Sequence, residues 1–210
     1  MKPKALLLLS GGFDSPVAGL VAKEQGLDLE AIHFGLEPFT DRSPEEKALA
    51  LASKLGVARV HVVEAGVPFS EIASQGSRRL YFVLSKRMMA RVASKLAARE
   101  GCGWLLTGEN LGQVSSQTLA NLALIDRAAS VPVLRPLLGY DKRDIIEEAH
   151  RAGTFEISKG PEMCDVLGPD DPATAAREDE VAAAEARLDL AKLEEACLAS
   201  IRIVPVTGSI

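Results

Sequence analysis

The sequence predicts an α/β fold in which a doubly wound, mostly parallel sheet of five strands has helices on both faces. Short apolar segments alternate with longer segments of helical periodicity, which is the pattern of a parallel sheet with crossover helices. Of the 210 residues, 47% are hydrophobic and only 4% are aromatic. The predicted core therefore consists mainly of Leu, Ala and Val, which suits helices packed on a sheet better than a β-sandwich.

Five apolar segments are the predicted strands. They occupy residues 5–9, 29–34, 58–65, 104–107 and 131–137. The first of them, within "KALLLL", is apolar throughout, as expected for a strand that helices cover on both faces. The tail "IRIVPVTGSI" is a candidate edge strand, because Pro205 excludes a central position in the sheet.

Start signals mark the first two predicted helices. Ser15 is the expected N-cap of the first helix, with Pro16 at its first helical position. Ser43 is the expected N-cap of the second helix, and Glu46 lies three residues later, as in a capping box. Each helix would lie between two predicted strands, as the crossover helices of a parallel sheet do.

The remaining helices are predicted at residues 80–99, 116–128, 142–152 and 177–198. Asp141 is the expected N-cap of the third of these. The segment "SKGPEMCDVLGPDDP", residues 158–172, is rich in Gly, Pro and Asp and is predicted to be a loop. No linker or repeat divides the chain, so we expect residues 1–176 to form the main domain and residues 177–210 to pack on it as a helix and tail.

Charge and cysteine content restrict the function. The formal net charge is -5, whereas a protein that binds nucleic acid on its own is usually basic. The three cysteines, Cys102, Cys164 and Cys197, form neither a CxxC pair nor a zinc-binding spacing. Together with the lack of a recognisable signal peptide, they predict a cytoplasmic location. No membrane partner is expected, because the run "ALLLL" is too short to span a bilayer.

The segment "SGGFDSP", residues 10–16, joins the first predicted strand to a helix. Ligands of doubly wound sheets bind at such strand ends. Gly11 and Gly12 allow the backbone to approach a ligand, and the N–H groups at a helix start attract anions. Ser10 and Ser15 add hydroxyl donors, and a Mg²⁺ ion would explain the presence of Asp14 beside a phosphate. The segment is therefore a predicted phosphate site, and an ordinary strand-to-helix turn is the alternative.

Other segments extend this interpretation to a family. The phosphate-binding motifs G-x-x-x-x-G-K-[ST] and G-x-G-x-x-G are absent from the chain. Instead, "SGGFDS" resembles the PP-loop of the ATP pyrophosphatase superfamily, which cleaves ATP between its α and β phosphates and has an adenine-nucleotide-hydrolase-like fold. Further segments resemble the tRNA 4-thiouridine synthetases (tRNA sulfurtransferases, linked to thiamine biosynthesis); in chain order they are "IHFGLEPFTDRSPEEKA", "LSKRMMARVASKLA", "LLTGENLGQVSSQTLANL", "VLRPLLGYDKRDII" and "PEMCDV".

The resemblance covers the catalytic domain of that family. Its members usually carry a ferredoxin-like segment and a THUMP RNA-binding domain before the PP-loop, and some add a C-terminal rhodanese domain. In this sequence only four residues precede the first predicted strand, and the chain ends soon after the last predicted helix. We therefore expect tRNA recognition to depend on a separate RNA-binding partner, in agreement with the acidic charge.

The resemblance implies a set of site residues. Lys142 would act near the α-phosphate, Cys164 would carry sulfur, and Asp14 would be both a catalytic residue and the Mg²⁺ ligand. The residues implied in nucleotide binding lie at strand ends and on the helix at 80–99; they are Leu8, Leu9, Ser10, Gly11, Gly12, Asp14, Ser15, His33, Phe34, Lys86, Arg87, Gly108 and Gln117.

The residue pattern alone leaves other interpretations open. His33 and Phe34 also suit a strand end and a core position. Lys86 and Lys142 also suit solvated helix faces. Acidic neighbours of Cys164 would raise the pKa of its thiol, which counts against high reactivity.

The predicted function is ATP-dependent adenylation of a carbonyl acceptor, followed by sulfur transfer. The expected acceptor is a tRNA uridine, which becomes 4-thiouridine, and the expected cofactors are ATP and Mg²⁺. A sulfur-donor protein or sulfide would supply the sulfur, and a homodimer stays open. The alternatives are a small-molecule or carrier-protein acceptor and a non-catalytic module that binds adenine nucleotides. Asp14 and Lys142 together favour an enzyme over the non-catalytic module, because binding alone does not need both.

Overall fold

A six-stranded sheet lies at the centre of the protein, whose computed structural model describes residues 2–112, 114–160 and 166–206. The strands are β1 (Lys4–Leu8), β2 (Asp28–Gly35), β3 (Arg59–Glu64), β4 (Trp104–Leu106), β5 (Val133–Leu134) and β6 (Arg202–Pro205). Their order is β5-β4-β1-β2-β3-β6. The first five run parallel, and β6 pairs antiparallel with β3 at the edge. The doubly wound α/β fold is confirmed, with the tail as a sixth strand beside the predicted five.

Helices connect these strands. They are α1 (Asp14–Glu24), α2 (Ser43–Lys54), α3 (Gly66–Gln75), α4 (Tyr81–Glu100), α5 (Leu119–Asp126), α6 (Lys142–Arg151), α7 (Phe155–Ser158), α8 (Glu178–Glu185) and α9 (Leu190–Ala199). Helices α3 and α7 were not predicted from the sequence. The single helix predicted at 177–198 is wrong, because Asp189 accepts a hydrogen bond from Lys192 N and begins a separate helix.

The expected caps of the first two helices are also wrong. Ser15 lies inside α1, where its hydroxyl accepts a hydrogen bond from Ser10 N at 2.9 Å rather than from the start of the helix. Arg42 holds the N-cap position of α2. Asp41 accepts hydrogen bonds from both the amide and the hydroxyl of Ser43, at 2.9 and 2.6 Å, so the capping carboxylate lies two residues earlier than expected. Asp141 does cap α6, as predicted, by accepting a hydrogen bond from Arg143 N.

The sheet is buried on both faces. Leu6 and Leu7 are neighbours in β1 and both are fully buried, but they belong to different apolar clusters, because successive side chains of a strand point to opposite faces. Helices α3, α4, α5, α8 and α9 contribute to the cluster around Leu6. Helices α1 and α2 contribute to the cluster around Leu7. This two-sided burial explains why the first strand is apolar throughout.

Helix α4 spans 20 residues and packs on the sheet through apolar residues such as Met88 and Val92. Its exposed side carries Lys95 and Arg99. Near its start, Lys86 is partly buried and Arg87 is buried. Among the residues that the structure describes, no helix has both the length and the apolar character needed to cross a membrane.

Candidate functional site

A cavity of about 860 Å³ opens at the carboxyl ends of the parallel strands. This strand-end cavity lies where doubly wound folds bind their ligands. Most of the residues predicted for the site contribute to its lining; they are Leu8, Leu9, Ser10, Gly11, Gly12, Asp14, Ser15, His33, Phe34, Lys86, Gly108, Gln117 and Lys142. Arg87 is not part of the lining, and Cys164 lies outside the described residues.

Two hydroxyl groups hold the glycine turn in shape. Ser10 N donates to Ser15 Oγ at 2.9 Å, the two hydroxyl oxygens lie 3.0 Å apart, and Gly12 N donates to Ser10 Oγ at 3.3 Å. Ser158 Oγ donates to Gly12 O at 3.2 Å from the far side. Hydrogen bonds thus join Ser10 at the start of the turn to Ser15 at its end, and the turn leads directly into α1. The N–H groups of the first turn of α1 favour an anion in the strand-end cavity.

Gly108 contacts the backbone of this turn. A Cβ atom at Gly108 would lie 2.5 Å from both Asp14 C and Ser15 N, a distance that real structures do not show. The segment after β4 therefore packs directly on the start of α1, and only glycine fits between them. Gly108, which the resemblance implied in nucleotide binding, therefore makes its close contact with the turn itself.

Asp14 and Lys142 meet at the same place. Lys142 Nζ donates to Asp14 Oδ1 at 2.9 Å, and the side chains are 43% and 23% exposed, respectively. Each residue is the first of its helix, α6 and α1. The arrangement puts one carboxylate and one ammonium group beside the glycine turn. A carboxylate is a suitable ligand for Mg²⁺, and an ammonium group is suited to a phosphate oxygen.

His33 and Phe34 form the wall at the end of β2. His33 is buried and its Nδ1 lies 2.9 Å from Leu9 O, so Nδ1 carries a proton that it donates to this carbonyl. Burial lowers the pKa of His33, so the ring stays neutral near pH 7. Phe34 stacks on Phe69 with 6.2 Å between ring centres. This side of the strand-end cavity is therefore uncharged, which suits a base or a ribose better than a phosphate.

A charged cluster lies in the same cavity, and two of its three members, Glu109 and Arg135, were not predicted from the sequence. Glu109 accepts hydrogen bonds from Lys86 Nζ and Arg135 Nε, each at 2.8 Å. Burial alone would raise the pKa of Glu109, but Lys86 and Arg135 outweigh it and the pKa is lowered. Arg135 in turn contacts Asp126 through its two terminal nitrogens. The positions of Glu109 and Arg135 just after β4 and β5 were a signal for this site, because those strands end at the same edge.

Of the predicted site residues Gln117 and Arg87, only Gln117 lines the strand-end cavity. Gln117 Oε1 accepts a hydrogen bond from Asn110 N at 3.2 Å, so the amide is held at the lining of the strand-end cavity. Arg87 is directed away from the cavity, and we correct its expected role. Its guanidinium donates to both carboxylate oxygens of Glu185, at 2.8 and 2.9 Å, and to Leu124 O. These contacts join α4 to α8 and α5, which is a structural role.

Cys164 lies in the segment 161–165, outside the described residues, and its role stays a prediction. The described residues near this segment reach the site, because Ser158 contacts the glycine turn and residues 168–170 line the strand-end cavity. The other two cysteines are buried. Burial raises the pKa of Cys102 to about 11 and that of Cys197 to about 12, so neither is a reactive thiolate near pH 7.

Another polar cluster lies at the opposite ends of the strands. Glu30, His61 and Glu100 have potential ligand atoms within 4.8 Å of one another. Arg59 donates to Glu30 and Glu100 at 2.5 and 2.6 Å, and Lys4 Nζ lies 3.6 Å from Glu30. The two basic side chains already neutralise the two carboxylates, so this cluster is a partly buried ion-pair network rather than a metal site.

The fold and the glycine turn define an α/β nucleotide-binding domain of the PP-loop class, in the ATP pyrophosphatase superfamily. Residues 1–190 match the family model described as Thiamine biosynthesis protein (ThiI), and the chain belongs to that family. The resemblance found in the sequence is thereby confirmed.

Curated relatives include proteins named "Probable tRNA sulfurtransferase". The protein from Nocardia farcinica is 42% identical over 96% of this chain and 50% of its own length. The protein from Moorella thermoacetica is 41% identical over 97% of this chain and 54% of its own length. The chain therefore spans about half the length of the curated relatives that it matches.

Two solved structures are similar to this chain, one of them in sequence as well as in fold. A 4-thiouridine synthetase in complex with RNA and ATP superposes with a TM-score of 0.92 at 36% identity, over 98% of this chain and 55% of that one. An NMN synthetase from Francisella tularensis superposes over 92% of this chain and 76% of that one, with a TM-score of 0.57 at 16% identity. The second similarity shows the shared fold alone.

Proposed function

We propose that this chain binds ATP in the strand-end cavity and transfers AMP to a carbonyl oxygen, which prepares the carbon for sulfur. The expected acceptor is a uridine of tRNA. The observation that carries this proposal is the pairing of Asp14 and Lys142 beside the glycine turn. The relatives named tRNA sulfurtransferase and the solved 4-thiouridine synthetase with RNA and ATP support the choice of acceptor.

The charges around the strand-end cavity suggest how ATP would lie. The β and γ phosphates would rest on the turn at Gly11 and Gly12, where the start of α1 favours negative charge. The adenosine would lie toward Phe34 and His33, where the wall is neutral and largely apolar. The α-phosphate would then fall between these two ends, within reach of the Lys142 ammonium group.

The oxygen at C4 of uracil is a poor leaving group for replacement by sulfur, and adenylation would make AMP the leaving group instead. The O4 oxygen of uracil would attack the α-phosphorus, the bond from this phosphorus to the bridging oxygen would break, and pyrophosphate would leave. Lys142 would neutralise negative charge that develops on the α-phosphate. A Mg²⁺ ion held by Asp14 would supply further neutralisation of the phosphates. The accessible carboxylate of Asp14 fits such an ion, because Mg²⁺ is commonly bound through one or two carboxylates plus phosphate oxygens.

Sulfur transfer would follow on Cys164. A sulfur-donor protein that carries a persulfide would pass its terminal sulfur to this thiol, whereas free sulfide would attack C4 directly and bypass Cys164. The terminal sulfur would bond to C4 of the activated base as AMP leaves. A second thiol, supplied by the sulfur-donor protein or by a small-molecule thiol, would then cleave the S–S bond, which leaves the thiocarbonyl on the base and a disulfide that a reductant must reopen. An RNA-binding partner would bring the tRNA, because the chain itself has a net charge of -5.

Pyrophosphate release tests this proposal. The chain is incubated with ATP and Mg²⁺, with and without bulk tRNA at a concentration high enough to offset weak binding without the RNA-binding partner, and the tRNA is then digested for nucleoside mass spectrometry. We expect tRNA-dependent pyrophosphate and, with a sulfur source, 4-thiouridine. ATP binding without pyrophosphate release at saturating tRNA would favour the non-catalytic module. Release that tRNA does not stimulate, but a small carbonyl compound or a carrier protein does, would favour those acceptors.

A further inference from the structure

Glu109 holds a basic side chain of α4 in the strand-end cavity. We propose that Glu109 is a positioning residue, which fixes the ammonium group of Lys86 and through it strengthens the binding of ATP. This inference rests on the proposed function, because it takes ATP to be the ligand. Glu109 itself is not expected to touch the reacting atoms.

The contacts of Glu109 are arranged in series. Glu109 is 8% exposed, and its two carboxylate oxygens contact different basic side chains. Oε2 receives Arg135 Nε at 2.8 Å and Thr107 Oγ1 at 3.2 Å, whereas Oε1 receives Lys86 Nζ at 2.8 Å. Arg135 is itself fixed, because its terminal nitrogens donate to Asp126 at 3.1 and 2.6 Å. Two donors therefore anchor one oxygen of Glu109, and the other oxygen is left to hold Lys86.

This arrangement leaves Lys86 with capacity for an anion. An ammonium group has three N–H donors, and the contact with Glu109 uses one of them. Lys86 and Glu109 both line the strand-end cavity, and the Lys86 side chain is 25% exposed. A lysine side chain loses considerable rotamer entropy when a ligand immobilises it. A contact that orders Lys86 before the ligand arrives reduces that cost and increases affinity.

The same helix provides a matched control. Arg87, next to Lys86, is held by the carboxylate of Glu185, with 2.8 and 2.9 Å contacts. Both pairs join a basic residue of α4 to a mostly buried glutamate, but neither Arg87 nor Glu185 lines the strand-end cavity. Removing the charge of Glu185 therefore reproduces the loss of an ion pair on α4 without affecting the cavity.

The test is a double-mutant cycle on ATP affinity, measured by calorimetry with ATP and Mg²⁺ in the absence of acceptor. Glu109→Gln and Lys86→Met should each weaken binding about ten-fold, the size expected for one charge-assisted hydrogen bond. The double variant should bind no more weakly than Lys86→Met alone, because Glu109 acts through Lys86. Glu185→Gln should bind ATP as the unmodified chain does, whatever its effect on thermal stability.

Several outcomes would overturn the inference. Unchanged ATP affinity in Glu109→Gln would do so, as would a double variant whose loss is the product of the two single losses. If Glu109→Gln does not fold, Glu109→Asp replaces it; it keeps the charge beside Arg135 but shortens the reach to Lys86, and ATP affinity equal to that of the unmodified chain would count against the inference. An unmodified chain that does not bind ATP would instead contradict the proposed function itself.

Discussion

Lys142 Nζ donates to Asp14 Oδ1 at 2.9 Å, although the two residues lie 128 positions apart in the chain. The helices that begin with them, α1 and α6, pack through a small apolar cluster that includes Val17 and Ile145. Because both helices follow parallel strands, their first residues arrive at the same edge of the sheet. The apolar packing of two helices therefore brings two opposite charges together beside the glycine turn.

The first prediction concerns this pair. Asp14→Ala and Lys142→Met should each reduce pyrophosphate release at least about 100-fold, because each removes a charge assigned to the phosphates. Both variants should keep the fold, since a partly exposed ion pair contributes about 1 kcal/mol or less to the free energy of unfolding. Steady-state assays and thermal unfolding measure the two effects separately.

Arg143→Met is the matched control for Lys142. Arg143 is the next residue of α6, its side chain is 87% exposed, and it contacts Asp141 rather than Asp14. Pyrophosphate release by this control should stay within about two-fold of the unmodified chain, the range expected for an exposed charge outside the site. Full activity in Asp14→Ala would contradict the role assigned to that carboxylate.

The second prediction concerns the contact between Gly108 and the turn. Gly108→Ala should displace the backbone at Asp14 and Ser15, since the added Cβ would lie 2.5 Å from their atoms. A shift of about 1 Å in a reacting geometry can reduce a rate about 100-fold. Gly103→Ala, at the other end of β4, is the control, because its Cβ would have no neighbour within 4 Å. Equal activities in the two variants would show that the turn does not need this contact.

Local patterns predicted most of the fold. The parallel strands and α1, α2, α4, α5 and α6 follow from apolar runs, from helical periodicity and from signals such as the Asp141 cap. Helix α3 was missed because it begins at Gly66 directly after β3, with Ala65 rather than a polar residue at its N-cap. The serine caps failed for a different reason. Ser15 and Ser43 found other partners, which a local capping rule does not anticipate.

The predicted site residues at the ends of the strands line the cavity, because strand ends can be located from the sequence. Lys86 and Arg87 are adjacent in sequence, but successive residues of a helix point about 100° apart, so one side chain reaches the strand-end cavity and the other reaches Glu185. A sequence pattern alone does not say which face of α4 meets which neighbour. The pairing of Glu109 with Arg135 depends on the order of the strands, which the sequence does not state.

The third prediction concerns pH and the two buried histidines. Burial lowers the pKa of His33 and His61, so in the folded state both rings stay neutral at pH values where they bind a proton after unfolding. The stability that the two neutral rings contribute should therefore be complete above the unfolded pKa of about 6.5. The free energy of unfolding should decrease as the pH falls below that value. The slope should reach about 1.4 kcal/mol per pH unit for each histidine. Urea unfolding at pH 7 and pH 5.5 measures it.

Histidine substitutions identify which residues cause the pH dependence of the free energy of unfolding. His61→Gln should lose part of the pH dependence, since it removes one group that titrates only after unfolding. His150→Gln should keep it, because His150 is exposed and stacks on Phe155 at the surface. A free energy of unfolding that is equal at pH 7 and pH 5.5 would mean that the buried rings are protonated in the folded state.

The fourth prediction concerns the three cysteines. A limiting amount of a thiol-alkylating reagent near pH 7.5 should label Cys164 before the others. Burial raises the pKa of Cys102 to about 11 and that of Cys197 to about 12, so both are thiols and are shielded from the reagent. Peptide mass spectrometry identifies the labelled residue, and the same experiment in urea should label all three. Faster labelling of Cys102 or Cys197 in the folded chain would refute the prediction.

The last prediction separates the two half-reactions through Cys164→Ser. This variant should still release pyrophosphate from ATP in the presence of the acceptor, because adenylation is assigned to Asp14 and Lys142 and needs no thiol. It should form no thiolated product, since a serine hydroxyl cannot carry a persulfide. Asp14→Ala should lose both activities, so the pair of variants distinguishes activation from transfer. If Cys164→Ser thiolates the acceptor at the normal rate, sulfur reaches the activated carbon by another route, such as free sulfide or a partner's cysteine, and the adenylation assignment still stands.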